Sequence, residues 1–150
     1  MANRSITRRE FITPVGVGCA ALATGWLPGC ATVPTYQGSL RNGSLSLSEE
    51  EFILAAEGKN ALLMRAPQLD DAVILLRLSD ASYRALSAVC THQACEVRPA
   101  SAGLKCPCHG SVFSLDGDVL RGPAKKPLPV FPVHVAGGRI TIDVRAMELR

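Results

Sequence analysis

The sequence has few aromatic residues, few histidines and little net charge. Phe, Tyr and Trp make up 5% of its 150 residues, so a packed core has to be built from Val, Leu, Ile and Ala. From residue 31 onward there are 13 basic and 12 acidic residues, a net charge of +1. No basic stripe alternates with aromatic residues, which argues against nucleic-acid binding. We find no Ser/His/Asp set and no paired carboxylates, so hydrolytic catalysis has no support.

Two short segments hold two of the three histidines and four of the six cysteines. They read Cys90-Thr91-His92-Gln93-Ala94-Cys95 and Cys106-Pro107-Cys108-His109-Gly110-Ser111. Each segment offers one thiolate and one imidazole at short spacing, namely Cys90 with His92 and Cys106 with His109. Two thiolates and two imidazoles make a mixed-ligand metal site. The two remaining cysteines, Cys95 and Cys108, occur once in each segment.

This double motif resembles that of the Rieske iron–sulfur proteins. In that family a [2Fe–2S] cluster has one iron on two Cys and the other on two His. The resemblance implies four ligands and a disulfide between the two leftover cysteines. The ligands would be Cys90, His92, Cys106 and His109, and the disulfide would join Cys95 to Cys108. Because neutral imidazoles put less negative charge on their iron than thiolates do, such clusters have raised potentials, roughly −150 to +300 mV.

Two alternatives to this interpretation stay open at the level of sequence. Zinc also binds sets of two Cys and two His at short paired spacings. Zinc would not account for Cys95 and Cys108, nor for the Gly110-Ser111 pair after the second histidine. The leftover cysteines could also be two free buried thiols instead of a disulfide.

The first 30 residues are predicted to be an export leader. Thr7-Arg8-Arg9-Glu10-Phe11-Ile12 resembles the twin-arginine signal. The uncharged stretch from Phe11 to Leu27 has 17 residues, about 26 Å as a helix, which is shorter than a ~30 Å hydrocarbon core. Leu27-Pro28-Gly29-Cys30 resembles a lipoprotein cleavage box with Cys30 as the lipidated residue; an uncleaved signal anchor, a soluble product and a buried helix are the alternatives. We therefore expect twin-arginine export and membrane tethering on the periplasmic side of a bacterial membrane.

The rest of the chain is predicted to be a tether, residues 31–43, followed by a Rieske domain, residues 44–146. The tether prediction rests on a composition rich in Thr, Pro, Gly and Ser. Short strands between turn signals predict an all-β fold of stacked antiparallel sheets, a small sandwich or barrel with both cluster-binding loops at one end. The predicted strands are Ser44–Ser48, Phe52–Ala55, Ala61–Arg65, Ala72–Leu78, Tyr83–Val89, Glu96–Arg98, Leu104–Cys106, Val119–Arg121, Val130–Ala136 and Arg139–Val144.

The extra cysteine pair resembles that of the high-potential Rieske proteins. That group includes the iron–sulfur subunits of quinol–cytochrome c and plastoquinol–plastocyanin oxidoreductases and some arsenite oxidase small subunits. The resemblance implies that His109 is exposed and contacts quinol, and that residues 122–129 form a proline loop over the cluster. It also implies that the Ser111 hydroxyl donates a hydrogen bond to sulfur, while Phe113 stands where Tyr is usual.

We therefore expect one-electron transfer, coupled to protons, in a quinol/cytochrome respiratory chain. The partners would be a quinol, a cytochrome b or a cytochrome c-type protein, and the chain would act as an electron-transfer subunit. The alternatives are a lipid-tethered carrier or a small subunit of a periplasmic oxidase. Lys125 and Lys126 either steer an acidic partner or form a solvated pair, and His134 is interpreted as a strand histidine.

Overall fold

A computed structural model of the chain describes residues 33–101 and 103–145. The twin-arginine motif, the apolar stretch after it and Cys30 lie outside the described residues. Contacts divide the chain into residues 1–30 and 31–150, and all described residues belong to the second unit. In the described part, no helix has the length and apolar character needed to cross a membrane.

The described residues form thirteen strands and one helix. In chain order they are β1 (Thr35–Gln37), β2 (Leu40–Arg41), β3 (Ser44–Ser48), α1 (Glu49–Ala55), β4 (Ala61–Arg65), β5 (Val73–Arg77), β6 (Tyr83–Ser87), β7 (Arg98–Ala100), β8 (Gly103–Lys105), β9 (Val112–Phe113), β10 (Val119–Arg121), β11 (Val130–Phe131), β12 (Val133–Ala136) and β13 (Arg139–Asp143). The predicted all-β fold of stacked sheets is confirmed.

A five-stranded sheet in the order β1-β4-β5-β6-β11 lies at the centre of the fold. Four of the five residues in both β4 and β5 are buried. Successive side chains point to opposite faces of a strand, and they contribute to two hydrophobic clusters. Val73 and Leu75 belong to one cluster, whereas Ile74 and Leu76 belong to the other. β5, which lies within the predicted strand Ala72–Leu78, is therefore a central strand of this sheet with side chains buried on both faces.

A second sheet, in the order β12-β13-β3-β2, contributes to the first of these clusters. Leu45 and Leu47 of β3 and Ile140 and Ile142 of β13 are buried there. The Gly137-Gly138 turn joins β12 to β13, and both glycines have a positive φ, 57° and 72°, as the common two-residue hairpin turn requires. This part of the core matches the sequence prediction.

The predicted strand Val130–Ala136 is wrong in one respect, because it forms two strands in different sheets. Val130–Phe131 pairs with β6, and Val133–Ala136 pairs with β13. Pro132 separates them, and since proline has no N–H to donate to a ladder, it favours an interruption at this position. The chain changes sheet at Pro132.

The predicted strand Phe52–Ala55 is also wrong, because these residues lie in α1. The Ser48 side chain accepts a hydrogen bond from the Glu51 N–H at 3.0 Å, and the Glu51 carboxylate accepts one from the Ser48 N–H at 2.6 Å. This reciprocal capping box satisfies two N–H groups that a helix start leaves unpaired. The local hydrogen bonds and the burial of Phe52 together stabilise a helix despite the apolar residues that suggested a strand.

Part of the predicted tether is packed onto the domain. Thr35–Gln37 pairs in parallel with Leu63–Arg65, and Leu40–Arg41 pairs with Leu45 and Ser44. Tyr36 and Leu40 also pack against the first hydrophobic cluster. A composition rich in Pro, Gly and Ser does not prevent edge pairing, because the backbone supplies the hydrogen bonds.

Candidate metal centre

A third sheet, in the order β10-β9-β8-β7, adjoins both cysteine–histidine segments. The first segment follows β6 and precedes β7, while the second connects β8 to β9. Leu104 and Phe113 of this sheet are fully buried in the second hydrophobic cluster, which also includes Ile74 and Leu86 of the central sheet. The two candidate loops are therefore supported by a packed sheet, as the prediction of loops on a β scaffold requires.

The two loops share one backbone pattern. In the first, the Cys90 N–H donates to the Cys95 carbonyl at 2.9 Å, and the Ala94 N–H donates to the Cys90 carbonyl at 2.9 Å. In the second, the Cys106 N–H donates to the Ser111 carbonyl at 2.9 Å, and the Gly110 N–H donates to the Cys106 carbonyl at 3.1 Å. The donors and acceptors stand at the same offsets from the first Cys of each loop.

Both loops close through a residue in the left-handed backbone region. Gly110 has a φ of 77°, and Ala94, at the equivalent position, has a φ of 55°. Glycine adopts this conformation without a steric penalty, whereas alanine does so rarely. The left-handed conformation of Ala94 was not predicted from the sequence. The signal that could have indicated it is the equivalent position of Gly110 in the second loop.

The structure brings the two histidines together at the surface. The ring centroids of His92 and His109 are 4.9 Å apart, and the rings meet edge to face at 87°. Both residues are exposed. Two imidazoles from separate loops therefore form one surface pair, with no other described histidine beside them, since His134 lies in β12 opposite Thr141.

The two predicted cysteine ligands lie on the buried side of the loops. Cys90 and Cys106 are free thiols, 2% and 1% exposed. Burial raises the pKa of the Cys90 thiol; the His92 N–H opposes this, and a hydrogen bond with the Cys106 side chain adds to it. Both thiols belong to the second hydrophobic cluster, so the loops present two thiols to the core and two imidazoles to solvent.

Cys95 and Cys108 form the predicted disulfide, and their Cα atoms are 6.5 Å apart. The bond joins the first loop to the second. The Cys106 sulfur lies within 4.8 Å of both disulfide sulfurs. The disulfide thus fixes the two halves of the site beside each other, and the alternative of two free thiols is wrong.

A third loop, residues 122–129, is hydrogen-bonded to both cysteine–histidine loops. The Ala124 N–H donates to Ser111 Oγ at 3.0 Å in a buried position, and Thr91 Oγ1 donates to the Lys126 carbonyl at 2.7 Å. Just before this loop, Arg121 Nε donates to the Gly110 carbonyl at 3.3 Å. Sequence analysis identified the loop and Ser111 but missed Thr91 and Arg121, whose partners are distant in sequence.

Two thiols, two imidazoles, an interloop disulfide and a proline loop are the features expected from the resemblance. The family model for the Rieske [2Fe-2S] domain matches residues 52–132, more than half of the chain. The chain belongs to the Rieske [2Fe-2S] family. Its cofactor is a [2Fe–2S] cluster, and the zinc alternative is set aside.

Several relatives are cytochrome b6-f complex iron–sulfur subunits. The one from Synechococcus sp. (strain JA-3-3Ab) is 28% identical over 148 residues, covering 90% of this chain and 86% of the relative. The one from Chlorobaculum tepidum is 36% identical over 77 residues, covering 50% of this chain and 42% of the relative. This Rieske chain thus spans less than half of the second relative's length.

A solved Rieske structure has a similar fold. The cyanobacterial plasma membrane Rieske protein PetC3 from Synechocystis PCC 6803 gives a TM-score of 0.54 at 27% identity, covering 65% of this chain and 96% of that one. The chain is thus a Rieske iron–sulfur electron-transfer protein similar to the cytochrome b6-f subunits. Its donor set fits the cluster, because two thiols buried in one hydrophobic cluster and two adjacent exposed imidazoles suit irons of different ligation.

Proposed function

We propose that Cys90 and Cys106 hold one iron of the cluster and that His92 and His109 hold the other. The observation that carries this proposal is the split of the donor set between a buried thiol pair and an exposed imidazole pair. When bound, the cluster supplies reversible one-electron redox chemistry. The exposed imidazoles are then the residues through which a partner reaches the site.

We further propose that the chain transfers single electrons, coupled to protons, in a quinol/cytochrome respiratory chain. In this proposal His109 is the catalytic residue, because its exposed ring can accept a hydrogen bond from a quinol hydroxyl. The outer ring nitrogen of His109 then takes the proton as the quinol gives up its electron. Buried Ser111 and Phe113 keep water away from the thiol side of the site.

The disulfide and the leader motif support a location on the periplasmic side of a bacterial membrane. Disulfides persist in oxidising compartments and are rare in the cytosol. Twin-arginine export carries folded proteins, so the cluster would be assembled before transport. In this proposal residues 1–30 are the leader, Cys30 or an uncleaved signal provides the membrane tether, and the redox domain is the predicted 44–146 together with β1 and β2, which pair with it.

A second candidate function is a lipid-tethered carrier or a small subunit of a periplasmic oxidase. The length of the apolar stretch favours it, since 17 residues make a helix shorter than the ~30 Å hydrocarbon core. A full membrane anchor is the expectation for a quinol-oxidising complex. Both candidates use the cluster. They differ in whether electron transfer is coupled to the transfer of a proton.

A redox titration monitored by electron paramagnetic resonance tests this proposal. The holoprotein is purified after assembly in the cytoplasm and titrated at several pH values. We expect a mixed His/Cys signal and a positive potential that falls as pH rises, with a limiting slope of about 59 mV per pH unit for one proton per electron. His134→Gln is the matched control, because His134 is exposed on β12, and it should leave the slope unchanged.

A negative potential that does not change with pH would contradict the quinol proposal and favour the carrier. Stoichiometric zinc without a paramagnetic signal would contradict the iron–sulfur cluster itself, since two Cys and two His can also hold zinc. The two failures are therefore distinguishable in one experiment.

A further inference from the structure

Three exposed cations lie in or just before the proline loop, which is hydrogen-bonded to both histidine loops. They are Arg121, Lys125 and Lys126, and we call them the basic rim. Arg121 ends β10, and the two lysines lie in the proline loop. The net charge of residues 31–150 is only +1. Three cations within six residues are therefore a local cluster of positive charge and do not reflect a high charge of the whole domain.

Hydrogen bonds place the rim beside each histidine loop. Arg121 Nε donates to the carbonyl of Gly110, the residue after His109. The Lys126 carbonyl accepts from Thr91 Oγ1, the residue before His92. Each imidazole therefore has a basic residue attached to its own loop.

Hydrogen bonds attach the backbone of the proline loop, which carries Lys125 and Lys126, to the rest of the domain. At the far end of the proline loop, the Leu128 N–H donates to the Gly117 carbonyl at 2.9 Å, and the Ser87 N–H donates to the Pro129 carbonyl at 2.9 Å. With the buried bond from Ala124 to Ser111, the loop is attached to three different elements. A loop fixed in this way holds the backbone of Lys125 and Lys126 at a constant position beside the two histidine loops.

The rim charges are not neutralised by neighbouring acids. The ion pairs of residues 33–101 and 103–145 involve Arg65, Arg84, Arg98 and Arg145, and none of the rim residues is among them. Glu96, the acidic residue nearest in sequence to the first loop, is paired with both Arg65 and Arg98. The surface around the histidines is therefore positively charged.

We propose that the basic rim docks an acidic face of the redox partner protein. The inference rests on the proposed function, in which electrons pass through the exposed imidazoles. An acidic face against the rim brings the partner's redox centre to the histidine edges, and complementary charges raise association rates. A protein fits this position better than an anionic lipid surface, because lipid headgroups over the rim would cover the histidines and block electron exchange.

Two small oxidants of opposite charge test the rim directly. The reduced holoprotein is mixed in a stopped-flow instrument with ferricyanide or with the tris(phenanthroline)cobalt(III) cation, at low and high salt. In Lys125→Gln/Lys126→Gln, we expect the ratio of the ferricyanide rate to the cobalt rate to fall at low salt. Each lost lysine should slow oxidation by ferricyanide and speed oxidation by the cobalt cation by roughly fivefold apiece for trivalent probes at about 10 Å. The rate ratio should therefore fall by roughly 25-fold per lysine at low salt, and by less at high salt.

The matched control is Arg41→Gln/Arg139→Gln. It removes the same charge from exposed positions on β2 and β13, in a sheet that carries neither cluster loop. The control should keep the wild-type rate ratio. Equal falls in both double variants would overturn the proposal, because the effect would then be that of net charge alone.

A direct binding measurement completes the test. We expect a fluorescently labelled aspartate decapeptide to bind the wild type and the control, and to bind the lysine variant at least tenfold more weakly. Binding to vesicles containing anionic lipid that depends on the same lysines, with no binding of the decapeptide, would overturn the proposal in favour of a membrane surface. A pH-independent potential would defeat the proposed function while leaving these rate ratios measurable.

Discussion

Replacing Ser111 with Ala separates the two hydrogen-bonding roles of its hydroxyl. Ser111 is fully buried, and its oxygen accepts the Ala124 N–H at 3.0 Å. The oxygen of a hydroxyl can accept while its proton donates elsewhere. The resemblance to high-potential Rieske proteins implies that this proton is donated to a sulfur of the site.

The expected effect on the redox potential follows from the strength of such a bond. A hydrogen bond to a charged group contributes about 1.5–3 kcal/mol, and about 1.4 kcal/mol corresponds to 59 mV for one electron. If the bond is made chiefly in the more negative, reduced state, Ser111→Ala should lower the potential by roughly 60–130 mV.

The expected effect on stability has a separate cause. The Ala124 N–H stays buried in the variant and loses its acceptor. An unsatisfied buried donor destabilises a protein by about 1–3 kcal/mol, here concentrated in the proline loop. Trypsin should therefore cleave the Lys125–Lys126 bond faster in Ser111→Ala than in the wild type.

Ser114→Ala is the matched control for both measurements. Ser114 Oγ accepts the N–H groups of Asp116 and Asp118 in the turn between β9 and β10, away from the thiols. This variant should lose stability and keep its potential. If Ser111→Ala lost stability with an unchanged potential, the hydroxyl would act only as an acceptor for the loop, and the reasoning about sulfur would be refuted.

Four further variants test other parts of the chain. Phe113→Tyr should raise the potential, because the resemblance implies that a Tyr hydroxyl at this position donates a hydrogen bond to sulfur; no change or a fall in a redox titration would contradict this. Gly103→Ala should destabilise the protein by more than about 3 kcal/mol in denaturant unfolding, because a Cβ there would overlap the Phe113 carbonyl oxygen at a φ of +119°. Gly58→Ala, with a φ of +78° and no atom within 4 Å of the added Cβ, should destabilise it by only about 1 kcal/mol. Cys95→Ala/Cys108→Ala, which opens a disulfide with a sequence separation of 13, should destabilise the oxidised protein by about 3 kcal/mol; an unchanged denaturant midpoint would contradict the stabilising role.

The candidate site could be predicted because its candidate ligands and its disulfide cysteines lie in two short sequence motifs. Each loop carries its Cys, its His and its disulfide cysteine within six residues, so no knowledge of long-range pairing is needed. The hydrogen bonds from Thr91 and Arg121 could not be predicted in this way. These hydrogen bonds depend on the position that a loop distant in sequence adopts in the folded chain.

The errors in the fold have similar physical reasons. Ser48 and Glu51 are a capping-box signal for the start of the helix Glu49–Ala55. The apolar residues that follow favoured a strand, and the predicted strand Phe52–Ala55 rested on them. The parallel pairing of Thr35–Gln37 with β4 had no signal, because a three-residue segment does not specify its partner strand. The break at Pro132 was readable from the proline itself.

The central sheet has a consequence for the architecture of the redox head. β6 and β11 are neighbours, with Leu86 opposite Val130 and Ala85 opposite Phe131, although 42 residues, 88–129, separate the ends of these strands. Everything that builds the cluster site therefore leaves and re-enters the scaffold at adjacent points, as an inserted module does. We therefore expect changes in the length of the module's exposed loops to leave the pairing of β6 with β11 intact, while the packing of the module against Ile74 and Leu86 ties it to this scaffold.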